Sequence, residues 1–383
     1  MTTWQPGSVR IGGDKLFEAV KGKRIALMMN HSALDDHAES LIDVLHRDAE
    51  CEIAFLFGME HGVRGDSYAG DADIQQKDER TGLPVVSLYQ FPGLKPPADL
   101  VGQADAVVFC AQDVGVRHWT YTPWMMYLLD AAAESGTEVI IVDRPNLLGG
   151  EVIEGGVTEP EFYSIIGAYA YPLRHGMTQG ELARFYKDKK GLDFPLTVVP
   201  CEGWKRSMWG DATGMFWTPP SPNISCFDAL MGYSVTGLLQ STSVNIGVGT
   251  TTPFTVVGAP WIDGAALARE LNALDIPGFF CTDTYYRPHF SLYEGEVCSA
   301  IRFTVTDRAV FSPVEGLVQI SATLRRMYGE RFTFSLPNYD RRAGSEFLRR
   351  SLEAGVPARA ILDNWRAQSE AFRKTRAPYL LYA

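Results

Sequence analysis

The chain has 383 residues, enough for two or three domains and a sizeable core, and its 46% hydrophobic and 21% charged shares are those of an ordinary globular protein. Lys and Arg number 35 against 46 Asp and Glu, and the resulting net charge of -11 excludes the basic field of a general nucleic-acid binder. No run approaches the ~20 apolar residues of a bilayer span, and no basic stretch leads into an apolar one near residue 1; the expected location is cytoplasmic, with periplasmic as the alternative.

Along the chain, residues 23–30 (KRIALMMN), 51–58 (CEIAFLFG), 85–89, 106–111 (AVVFCA) and 139–143 (VIIVD) are short, continuous and rich in β-branched side chains. Such runs predict strands buried on both faces, hence a parallel sheet. Residues 38–47 and 122–135 carry helical spacing between them, the second stopping at Gly136. A helix is expected over 178–189 and a strand over 196–201, while 208–223, rich in Trp, Pro and Gly, reads as a long loop near a site. Beyond 226 the pattern predicts strands at 254–257, 278–283 and 300–306 and helices at 264–273, 313–327, 345–353 and 357–374. The fold class is α/β: a Rossmann-like domain with a parallel sheet over residues 1–190, and a smaller α+β domain over 191–383 that completes a cleft. Six scattered cysteines with no CxxC pair read as reduced, mostly buried thiols.

In a doubly wound sheet the ligand sits outside the carboxyl ends of the strands. The segments that matter are therefore 30–32, 59–64, 112–117 and 144–146. None is a GxGxxG or a P-loop, and GxSxG and HExxH are absent too. His31 and His37 beside Asp35 and Asp36 read as a polar helix start rather than a metal cluster; no metal and no cofactor are expected. FLFGMEHGVRGD delivers Glu60, His61 and Arg64 into a glycine-flanked turn. Two readings stand there: a carboxylate desolvated against an apolar wall and used as a general acid, or an ion pair of Glu60 with Arg64 and no chemistry. AQDVGVRHWTYTP then brings Gln112, Asp113, Arg117, His118, Thr120 and Tyr121 to a strand end, more polar groups than a turn requires. DRPN contributes Arg144 and Asn146, and PLRHGMTQGELA brings Arg174 and His175 before a helix. In that helix Thr178 and Glu181 have the spacing of a capping box, which favours a structural Glu181.

Glu-His-Gly, QDVGxRxxTY, DRPN and RHGMTxGELA, in this order, together with GTTTPFTVVGAPW (249–261), SPN (221–223) and the terminal YLLY, resemble the bacterial family of exo-β-N-acetylmuramidases. The likeness runs from about residue 22 to 382, and the ordered set is far more specific than any one motif. The resemblance implies a Rossmann-like domain and a smaller α/β domain with the cleft between them. It also implies hydrolysis of the β-1,4 bond that releases N-acetylmuramic acid from the non-reducing end of peptidoglycan fragments, with Glu60 as the catalytic carboxylate. The substrate is then a peptidoglycan-derived sugar, with Asp113, Glu181 or the sugar's own acetamido group opposite Glu60. Its lactyl carboxylate calls for an arginine, with Arg64, Arg117 and Arg174 as candidates and Arg144 adjoining them. Asn30, His61, Gln112, Asn146 and His175 are the expected polar contacts, and Trp119, Trp217 or Tyr121 the sugar-stacking rings. Three positions depart from the family pattern: Cys110 and Gln240 replace acids, and Val248 replaces an arginine. A homologue that binds amino sugars without turnover is the competing expectation.

Overall fold

The computed structural model describes residues 9–68, 70 and 76–383. The predicted N-terminal strands form within a residue or two of their expected limits, as β1 (Arg24–Met29), β2 (Glu52–Gly58), β3 (Val85–Ser87), β4 (Ala106–Cys110) and β5 (Glu138–Val142). After the short ribbon of β6 (Glu154–Val157) and β7 (Pro172–Arg174), β8 (Leu196–Val199) completes a six-stranded sheet of order β3-β2-β1-β4-β5-β8. Every pairing in that sheet is parallel. Because β8 belongs to it, the N-terminal unit reaches past residue 190, where the sequence placed its boundary.

The strands are buried on both faces, as their unbroken apolar runs require. From β1, Ile25, Leu27 and Met29 join one core with residues of helices α1 (Asp14–Val20) and α2 (Leu41–Asp48). Ala26 and Met28 point the other way. There they meet α4 (Tyr121–Ser135) and α5 (Gln179–Lys190), which follow the short α3 (Ala98–Val101). The strand order reverses between β1 and β4, so the crevice falls beyond the last residues of those two strands.

The C-terminal half opens with α6 (Phe227–Thr236), which the sequence did not distinguish from loop. An antiparallel sheet of order β10-β11-β9 follows, built from β9 (Val256–Ala259), β10 (Phe279–Tyr286) and β11 (Cys298–Val305). Helices α7 (Gly264–Asn272), α8 (Pro313–Tyr328), α9 (Asn338–Ala343), α10 (Phe347–Glu353) and α11 (Ala358–Arg376) complete it. The core on the α4–α5 side of the parallel sheet runs without a break into this half, through Tyr233, Val257, Leu324 and Trp365. The last residues return to the parallel sheet: the Tyr382 hydroxyl donates to Asp143 Oδ2 at 2.6 Å, just past β5, and accepts from the Cys201 N–H at 3.1 Å.

Candidate active site

The Glu60 turn is shaped by backbone that few side chains tolerate. His61 has φ of 67° and Gly62 of 72°, two successive left-handed residues immediately after Glu60. The Gly62 N–H donates to the Met59 carbonyl at 2.9 Å and closes the turn. Three residues on, a Cβ at Gly65 would lie 2.5 Å from Cγ of His31, so only glycine lets this loop rest on the one that follows β1. His31 in turn bonds the Pro219 carbonyl through Nε2 at 2.7 Å, and because a carbonyl only accepts, the ring proton sits on Nε2. Burial pushes both His31 and His61 below the ordinary value of 6.5, leaving an uncharged His61 imidazole near the carboxylate at neutral pH.

Glu60 is half-buried and held at both oxygens. Oε1 accepts from the Gly70 N–H at 2.9 Å, and Oε2 accepts from the Tyr89 hydroxyl. Tyr89 lies in a 3-10 turn directly after β3, with its ring edge-on to Trp124 at 5.6 Å. Burial and the Glu60 charge raise the proton affinity of Tyr89, so it remains a donor at neutral pH. The wholly buried Tyr121 has its affinity raised by the same two causes in the same order and donates to the Pro220 carbonyl at 2.7 Å. Pro219 and Pro220 belong to the Trp-, Pro- and Gly-rich loop, which thus crosses the ends of β1 and β4 as the sequence anticipated. Below it, Asn30 Oδ1 accepts from Ser32 Oγ at 2.6 Å, and Ser32 Oγ accepts from the Gln112 N–H at 2.9 Å.

The ion pair of Glu60 with Arg64 does not form. Arg64 binds Asp78 with Nε and Nη2, each at 2.7 Å, and reaches Asp43 at 2.8 Å. The other expected sugar-reading arginines are likewise engaged inside the protein. Arg117 is fully buried and donates to the carbonyls of Gly156 at 2.6 Å, Tyr171 at 3.1 Å, Arg342 at 3.1 Å and Ala343 at 2.6 Å. Its burial lowers the guanidinium to about 10. Arg174 donates to the Leu148 carbonyl at 2.6 Å, lies 3.6 Å from Glu154 and stacks on Trp209. Arg144 joins Gln112 Oε1 at 2.9 Å to the Leu34 carbonyl at 2.7 Å, a strut between two strand-end loops.

Several acid and amide candidates are buried and bonded within the framework. Glu181 completes the capping box with Thr178, and its Oε1 accepts from Arg206 at 2.7 Å and from the Leu381 N–H at 2.8 Å. It has no exposed surface, and its Oε2 accepts from the Thr178 N–H at 3.0 Å, so its bonds tie the helix start to the C-terminus. Asp113 is buried against His175, Oδ2 to Nε2 at 3.4 Å, and accepts from the Gly115 N–H at 3.2 Å. Asn146 is a turn residue, bonding the Met177 carbonyl and the Leu148 N–H. Trp119 and Tyr121 are buried, Trp119 edge-on to Tyr121 at 5.0 Å and to Tyr233 at 5.8 Å, so both are wall rather than stacking surface. Trp217 remains half-buried in the covering loop. Tyr89 was missed because its segment read as strand to its end, although the strand-end rule that selected Glu60 also selects Tyr89 once β3 stops at Ser87.

A carboxylate held by donors just past β2, one strand from the switch point of a doubly wound sheet, defines a two-domain α/β protein with a candidate acid–base site. Profiles of the exo-β-N-acetylmuramidase NamZ match its N-terminal part over residues 25–228 and its C-terminal part over 231–382. The chain belongs to the NamZ family of exo-β-N-acetylmuramidases. It is 39% identical over 364 residues to the peptidoglycan β-N-acetylmuramidase NamZ of Bacillus subtilis strain 168, an alignment covering 95% of this chain and 88% of that protein. Two crystal structures of DUF1343 family proteins from Bacteroides fragilis NCTC 9343 share the fold. One has a TM-score of 0.91 at 32% identity, covering 99% of this chain and 100% of that one; the other has 0.77 at 27%, covering 98% and 99%.

Proposed function

We propose that this chain is an exo-acting glycoside hydrolase that cleaves the β-1,4 bond releasing N-acetylmuramic acid from the non-reducing end of peptidoglycan fragments, with Glu60 as proton donor. The observation that carries the reading is the Glu60 carboxylate, oriented at both oxygens by Gly70 and Tyr89 one strand from the strand-order reversal, in a chain that matches the family over residues 25–228 and 231–382. Glycosidic cleavage needs a proton delivered to the leaving oxygen as positive charge builds at the anomeric carbon. A carboxyl fixed in direction and partly withdrawn from water, beside the uncharged His61 imidazole, suits that delivery. His61 borders the acid through the turn itself, and the Tyr89 hydroxyl holds Oε2 so that Oε1 faces the Gly70 side.

Glu60→Gln keeps the shape of the side chain and removes the transferable proton. On a chromogenic glycoside of N-acetylmuramic acid, the variant is expected to lose about 10²–10⁴-fold in kcat, with its thermal midpoint close to wild type. Near-wild-type turnover by folded Glu60→Gln would remove Glu60 from the acid role. Tyr89→Phe is expected to retain more activity than Glu60→Gln, because it loosens the carboxylate without deleting it.

A further inference from the structure

Arg64, Arg117, Arg144 and Arg174 are each bonded to groups of the protein, and an arginine of the C-terminal half stands without a described carboxylate partner. Arg342, on α9, is half-buried, and among the described residues no carboxylate lies within ion-pair distance of it. Its Nε donates to Ser241 Oγ at 3.0 Å, in the 3-10 turn Gly237–Ser241 that follows α6. The same turn and α6 carry the aromatic wall: Tyr233 lies 4.9 Å from His118, 5.8 Å from Trp119 and 4.9 Å from Phe254. The Tyr233 hydroxyl donates to the His118 carbonyl at 2.7 Å, tying α6 to the loop after β4. Two charges from opposite domains act on that phenol. Burial raises it to about 12, the Arg342 guanidinium beside it works in the opposite sense, and the Glu60 carboxylate adds to the rise. Tyr233 thus feels the acid of one half and the arginine of the other.

Arg117 explains why Arg342 is held in place. Its Nη2 donates to the carbonyls of Arg342 and Ala343, at 3.1 and 2.6 Å, and so grips the C-terminal end of α9. The packing is close enough that a Cβ on Gly344 would come within 2.6 Å of that nitrogen. The buried arginine of the β4 loop is therefore a positioning residue, and Arg342 is the side chain it presents.

We propose that Arg342 is the specificity residue that reads the carboxylate on the 3-O-lactyl group of the muramoyl sugar, held for that task by the Arg117 clasp on α9. The assignment rests on the muramidase reading above and names how its site separates an acidic sugar from a neutral one. A guanidinium with two nitrogens unoccupied by carboxylate matches a lactyl carboxylate, whereas N-acetylglucosamine carries nothing there to receive it.

Binding tests this without requiring turnover. Calorimetry on wild type, Arg342→Ala and Arg342→Lys would use three probes: free N-acetylmuramic acid, its methyl ester and N-acetylglucosamine. Wild type is expected to favour the acid over the ester. Arg342→Ala should weaken the acid about 10- to 100-fold and leave the ester and N-acetylglucosamine within about threefold, with Arg342→Lys in between. Equal weakening of acid and ester, or a wild type that does not distinguish them, overturns the assignment. Turnover is a separate arm. If wild type binds the acid preferentially through Arg342 but cleaves no muramoyl glycoside, the hydrolase reading falls and the specificity assignment stands.

Discussion

Arg64 lies four residues beyond Glu60, yet its guanidinium is clamped between Asp78 and Asp43, 14 and 21 residues away in sequence. Asp78 has almost no exposed side chain, and it also accepts from Thr81 Oγ1 at 2.6 Å and the Thr81 N–H at 2.9 Å. These bonds, the one from Arg64 foremost, hold its carboxyl well below the ordinary 3.8. A carboxyl with a depressed folded value stabilises the fold at pH above its unfolded value, and that stabilisation is lost as pH falls through the folded value. Arg64→Ala is therefore expected to cost ~1–3 kcal/mol near neutral pH, with little change in KM. Urea unfolding at pH 7 and again below pH 3 checks the sign: the gap between variant and wild type should narrow in acid. An unchanged midpoint with a raised KM would instead make Arg64 a substrate contact. Residue type and strand-end position found this arginine, but the direction of its side chain depends on partners that spacing does not reveal. The same is true of Arg117 and Arg174, which the sequence placed at the site and the fold buries under it. Arg342 was illegible for the opposite reason: nothing in its local sequence sets it apart, and its position is fixed by an arginine 225 residues earlier.

At the scale of elements, the sequence was most legible where burial imposes a pattern. The central strands carry unbroken apolar runs because both faces are covered, and α5 announces itself through Thr178 and Glu181 at its start and Gly191, left-handed, at its end. Short pieces were not legible. The ribbon of β6 and β7 rests on α11 rather than on a periodicity of its own, and α9 is a six-residue helix held by Arg117. The capping box offers a test that separates structure from chemistry. Glu181→Gln removes the charge opposite Arg206, which is itself mostly buried and also donates to the Gly150 carbonyl at 3.1 Å. An uncompensated buried guanidinium should destabilise the chain by ~3 kcal/mol, seen as a lower thermal midpoint. Turnover per folded molecule should stay within about twofold. A kcat loss like that of Glu60→Gln, at unchanged midpoint, would return Glu181 to the catalytic list.

For the whole molecule, the net charge of -11 coexists with an arginine, Arg342, that no described carboxylate pairs with. Most of the other strand-end arginines are neutralised by carboxylates or sealed among carbonyls, so the surplus of acid belongs to the outer surface and the site is not a basic patch. That arrangement suits one anionic sugar and repels a polyanion. The two halves also share their framework. One apolar core continues from the parallel sheet into the helices of the second domain, Arg117 joins the β4 loop to α9, and Tyr382 and Leu381 bond Asp143 and Glu181. Two domains with separate cores normally melt in separate steps; here neither half can open without exposing apolar surface of the other. Calorimetry should therefore show one transition, with calorimetric and van't Hoff enthalpies in a ratio near ~1. N-acetylmuramic acid in large excess should move that whole transition upward, since the ligand binds only the folded unit. Two resolved transitions, or a ligand shift confined to one of them, would mean that the cleft lies between independently folding bodies and that the shared core does not couple them.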